Sequence, residues 1–115
     1  MVVYCCSDDN DRNRKYNEAI RRAVAAAVTD SVDPNKGSER GVARVLDVGA
    51  GSGLLSMMAA RAGADAVYAV ERSKLMSQMA AGVLQDNGFI MNRTIHWITR
   101  NSEAVCQLDR QLMHA

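Results

Sequence analysis

The sequence predicts an α/β chain built on a parallel sheet of about three strands, with helices alternating between them. Three observations point there. Apolar segments of strand length occupy residues 42–48, 66–70 and 94–99. Segments with a three-and-four-residue apolar period lie between them. The strand segments carry few polar interruptions, as buried parallel strands do. Strands that alternate with helices imply right-handed crossovers, and three such strands make half of a doubly wound fold.

Each element has a local reason. From residue 9 to 29 the apolar positions Tyr16, Ala19, Ile20, Ala23, Val24, Ala27 and Val28 recur at helical spacing, with Lys15, Glu18, Arg21 and Arg22 mostly off that stripe. Asp9 and Asp11 sit where carboxylates complement a helix start. Residues 30–41, DSVDPNKGSERG, hold the only proline and two glycines and read as an internal linker. VARVLDV follows as a strand, then the turn GAGSG, then LLSMMAARAG as a short apolar helix closed by Gly63. AVYAV is the second strand. Ser73 can cap a helix running to residue 87, with Leu75, Met76, Met79, Ala80, Val83 and Leu84 on its buried face and Gly88 as its left-handed end. TIHWIT is the third strand. From Ser102 the tail is helix-like, with Val105, Leu108 and Leu112 at helical spacing.

Composition bounds the function. A chain of 115 residues, 48% apolar and 23% charged, builds one core, and residues 1–115 read as a single, partial domain. Fourteen basic against 13 acidic residues leave a net charge of +1, so no bulk field draws the chain onto nucleic acid or anionic lipid. The longest purely apolar runs, residues 1–6 and 23–28, fall far short of the ~20 a spanning helix needs. The start has no basic region before its apolar residues and turns acidic at Asp8, unlike a signal peptide. Cys5, Cys6 and Cys106 are odd in number and form no CxxC. They are expected to be reduced thiols of a cytoplasmic or nuclear protein, with no metal role.

The informative stretch is VLDVGAGSG, residues 45–53. Asp47 ends a strand, and Gly49, Gly51 and Gly53 let the backbone turn and approach a ligand closely. A dinucleotide fingerprint needs GxGxxG. Here the sixth position is Leu54, so a nicotinamide-type half-site is disfavoured. GxGxG after an acidic strand end is the spacing of S-adenosylmethionine sites. Glu71 ends the second strand, 18 residues past Gly53, where a carboxylate can accept hydrogen bonds from ribose hydroxyls. That placement suits an adenosine ligand without choosing which. Ser102 and Glu103 follow the third strand at the same edge, placed either to meet an adenine amino group or simply to cap a helix.

The stretch VLDVGAGSGLLSMMAARAGADAVYAVERS resembles the first motif and post-motif of the protein arginine N-methyltransferases, and LLSMMA and AGAD are closest to the type III branch. DDNDRNRKYNEAI resembles that family's cofactor-covering helix, and QDNGF and ITRNSEAV continue the likeness, from about residue 8 to 105. The resemblance implies a Rossmann-like class I methyltransferase fold and S-adenosylmethionine as cofactor. It assigns Arg12 to the cofactor carboxylate, Asp47 and the three glycines to the methionine end, Glu71 to the ribose, and Ser102 with Glu103 to the adenine. It also implies an arginine-containing protein as the acceptor. The family's paired glutamates that grip the substrate guanidinium have no counterpart among the four glutamates here. No catalytic residue is therefore assigned. The chain is expected to be the cofactor-binding half of such an enzyme, or an inactive truncated binding module. Without a fourth strand beside the first, the isolated chain is expected to self-associate.

Overall fold

The computed structural model describes residues 10–29, 35, 40–90 and 93–100. Six elements follow in the order α1 (Asn10–Thr29), β1 (Arg44–Val48), α2 (Leu54–Arg61), β2 (Ala66–Glu71), α3 (Lys74–Asp86) and β3 (Ile95–Thr99). The alternation is the predicted one. The tail from Ser102, and most of the predicted linker, lie outside the described residues.

The strands form one parallel sheet in the order β1-β2-β3. Val45 pairs with Val67 and Val67 with Ile95, while Asp47 pairs with Ala69 and Ala69 with Trp97. Both crossovers step the same way across the sheet. Right-handed crossovers that step in one direction set their helices on one face; only a reversal of direction covers the other. The core shows this. Val45, Val67, Ala69, Ile95 and Trp97 pack with Val24 of α1, Met57 and Ala59 of α2, and Leu84 of α3. Those strand residues all alternate onto one face. The opposite face bears Leu46 and Val48, 47% and 50% exposed, and Tyr68 stacked on His96 with ring centroids 5.2 Å apart.

Element ends differ from expectation for local reasons. β1 begins at Arg44 rather than at Val42, because the lead-in is held by a loop. The Asp65 carboxylate accepts from the Ala43 N–H at 2.8 Å, and the Asp65 N–H donates to the Ala43 carbonyl at 2.8 Å. Val42 is left exposed. The second strand gains Glu71, and the third starts at Ile95. On α1 the burial line runs through Ile20, Val24, Ala27 and Val28, while Ala19 and Ala23 face solvent. On α3 it runs through Met76, Ala80 and Leu84. Leu75 and Met79, expected inside, are instead 67% and 56% exposed, because the i, i+4 line from Met76 faces the core. Ser73 caps α3 as expected, its hydroxyl accepting from the Met76 N–H at 3.2 Å. Gly88 takes a φ of 82° past its end.

Candidate functional site

Five of the residues singled out by sequence, Asp47, Gly49, Gly51, Gly53 and Glu71, lie where β1 and β2 end. β1 delivers Asp47 and runs into the turn 49–53. Gly49, Gly51 and Gly53 have φ values of 75°, 56° and 86°, a left-handed backbone that disfavours side chains. The turn leans on β2, since the Val70 carbonyl accepts from both Gly49 and Ala50 N–H, at 2.8 and 3.1 Å. A Cβ on Gly53 would stand 3.3 Å from Trp97 Cζ3 and 3.5 Å from Leu84 Cδ2, so this glycine also lets α2 start close to the sheet.

Glu71 joins two turns. One carboxylate oxygen accepts from the Gly51 N–H at 2.8 Å and the other from the Ser73 N–H at 3.0 Å. Among the described residues it forms no ion pair with Arg72 or Lys74. The glycine turn and the start of α3 are thus tied to one anionic group at the sheet's carboxyl edge, where ligands of open α/β sheets bind.

Asp47 is buried and accepts from the Ser56 hydroxyl at 2.6 Å. Burial pushes its carboxyl above the ordinary carboxylate range. The Ser56 hydroxyl and backbone N–H oppose that shift, and the neighbouring Glu71 charge adds to it. Sequence reasoning missed Ser56. Its signal was there: one serine inside the apolar helix LLSMMAAR must find a buried partner.

Arg12 sits in the first turn of α1, exposed, its guanidinium 5.8 Å from the centre of the Tyr16 ring. Ser102 and Glu103 lie outside the described residues. A separate groove of about 580 Å³ between α1 and α2 is lined by Arg14, Arg21, Arg61, Met57 and Met58, among others, and by none of the predicted site residues. Among the described residues there is no cluster of metal-ligating side chains. No described helix is long and apolar enough to cross a membrane.

The family profile described as "Ribosomal protein L11 methyltransferase (PrmA)" matches residues 28–110. This chain belongs to the S-adenosylmethionine-dependent methyltransferases. The kinship with arginine methyltransferases read from its motifs holds as well. The methyltransferase chain is 49% identical over 81 residues to protein arginine N-methyltransferase 7 of Danio rerio, covering 70% of this chain and 10% of that protein. It spans about a tenth of the length of the curated relatives it matches. Among solved structures it resembles PRMT6-SAH, with a TM-score of 0.67 and 28% identity, over 95% of this chain and 28% of that one. It also resembles the Trypanosoma brucei PRMT1 enzyme-prozyme heterotetrameric complex with AdoHcy, with a TM-score of 0.57 and 35% identity, over 79% of this chain and 24% of that one. The cofactor of the family is S-adenosylmethionine, and the fold is the Rossmann-like class I fold.

Proposed function

We propose that this chain is the donor-holding half of a protein arginine N-methyltransferase, and that the carboxyl edge of β1 and β2 is its cofactor site. The observation that carries the reading is Glu71, a carboxylate at the end of β2 bonded to the middle glycine of the β1–α2 turn. The donor set fits the cofactor's chemistry. A carboxylate, Asp47, suits the ammonium of the amino-acid end. A guanidinium, Arg12, suits the carboxylate of that end, since it can bind it through two parallel hydrogen bonds. Glu71 offers acceptors to the ribose hydroxyls. Gly49, Gly51 and Gly53 let the backbone come close. Ser102 and Glu103 are assigned to the adenine.

The cofactor, when bound, supplies a methyl carbon already activated at a sulfonium. The chain's residues bind and orient it. In a full-length enzyme the acceptor would be an arginine side chain of a protein, and the setting cytoplasmic or nuclear. A second reading is a binding module with no turnover of its own. What favours it is that Glu18, Glu39, Glu71 and Glu103 include no neighbouring pair to hold a guanidinium.

Calorimetry with S-adenosylhomocysteine tests the site. Glu71→Ala removes charge-assisted hydrogen bonds worth roughly 1.5–3 kcal/mol each, so affinity should fall about tenfold or more. Unchanged affinity would sink the ribose role. Radiolabel transfer to an arginine-rich peptide separates the two readings. Counts above those of a Gly51→Trp control mean that the chain turns over by itself; counts equal to the control leave it a binding module.

A further inference from the structure

We propose that Ser56 is a positioning residue for cofactor binding: its hydroxyl holds the Asp47 carboxylate charged and oriented at the end of β1, and so sets how far the pH can fall before the site releases its ligand. The proposal rests on the role given to Asp47 above.

The geometry is specific. Ser56 is fully buried on α2, and Asp47 is 9% exposed on β1. Their oxygens are 2.6 Å apart, with the hydroxyl donating to the carboxylate. Packing does not ask for a hydroxyl here. The other buried residues of α2, Met57 and Ala59, are apolar. A buried hydroxyl without a partner is costly, so the serine is tolerated through Asp47.

Asp47 needs the help. Two groups face its carboxyl from the elements packed around it among the described residues: Glu71 from β2 and Ser56 from α2. Glu71 repels the charge, and burial disfavours it. Among the described residues no Lys, Arg or His figures in its shift. The side chain that favours the anion is therefore the serine hydroxyl. A protonated Asp47 would present an O–H where an ammonium needs an acceptor. Affinity should then decline as the pH falls through the Asp47 midpoint, and removing the hydroxyl should move that midpoint upward.

The test uses the full chain, with Ser56→Ala and Ser56→Cys. The cysteine keeps a side chain of similar shape with a weaker donor, so a folded variant is available if alanine loosens the helix. Carboxyl-carbon NMR follows the Asp47 titration without ligand. Calorimetry with S-adenosylhomocysteine compares mildly acidic with mildly alkaline solution. The midpoint should rise in Ser56→Ala and rise less in Ser56→Cys. Affinity should drop about threefold or more on the acidic side and stay within about twofold on the alkaline side, since half a pK unit is about a threefold change in protonation. An unmoved midpoint, or the same loss at both pH values, overturns the proposal: the second outcome is what a merely structural serine would give. If the midpoint moves as expected and even the unmodified chain fails to bind, the site reading is what fails; the NMR titration tells the two apart.

Discussion

At the scale of single residues, the burial of Asp47 sets stability against the binding role proposed for it. Its carboxyl is pushed up by burial and by Glu71, against the pull of Ser56. The folded value therefore lies above the unfolded one. The ionised form is disfavoured in the fold, so stability falls as pH rises from the unfolded carboxylate value through the folded one. Asp47→Asn should stabilise the chain above that window and change little below it, with thermal melts at acidic and neutral pH as the measurement. The same variant should lose about tenfold or more in affinity for S-adenosylhomocysteine, the loss of one charge-assisted contact. A variant less stable at neutral pH than at acid pH, relative to the parent, would contradict the sign. The positions of Asp47 and Glu71 at strand ends and of the glycines in the turn were legible in the sequence, because strand ends and glycine spacing are local signals. Their partners were not. That Glu71 would serve Gly51 and Ser73 N–H groups rather than Arg72 or Lys74 depends on how two turns meet in space.

At the scale of elements, the turn and the helix that leaves it depend on Gly53. α2 has no side-chain cap, and Gly53 at its N-terminus sits at φ 86° with Trp97 and Leu84 behind it. Gly63, which ends the same helix, has a φ of 99° but nothing within 4 Å of an added Cβ. Both alanine substitutions force a left-handed backbone on a side chain, at about 1–2 kcal/mol. Gly53→Ala adds a tight contact with an indole and should cost about 1 kcal/mol more than Gly63→Ala in urea unfolding. Equal losses would mean that the indole yields freely. The helices and strands themselves were readable from periodicity, and so was the Ser73 cap. The misplaced residues are instructive. Leu75 and Met79 fit a helical period as well as Met76 and Ala80 do, and only the direction of the sheet decides which line is covered. Val42 looked like strand because it is apolar and β-branched, yet the Asp65 loop takes the backbone pairing just beside it.

At the scale of the whole molecule, one-directional winding sets α2 and α3 on one side of the sheet among the described residues. Among the described residues β1 pairs with β2 alone, so its outer edge offers backbone donors and acceptors, flanked by exposed Leu46 and Val48. Such an edge is a template for another strand. The isolated chain should self-associate at micromolar concentration in analytical ultracentrifugation. Leu46→Lys, a charge on the exposed face of the edge, should shift it toward monomer. A monomer with a sharp, concentration-independent melt above about 60 °C would count against this, that being the upper part of the usual mesophile range. The parallel sheet was legible from alternation; which face the described helices cover was not, because it depends on where the winding reverses.

The two hydrogen bonds to the Val70 carbonyl carry a dynamic consequence. The glycine turn follows β1 in the chain, but it hangs from β2, the strand paired on both sides. Edge strands fray before central ones, and amide exchange follows local opening. Gly49 and Ala50 amides should therefore exchange on the slow timescale of Val67–Val70 rather than on the faster one of Arg44 and Val45. A turn whose protection tracked the edge strand would show that the loop opens with β1. If it tracks β2, the glycine turn stays in place even while the strand that leads into it breathes.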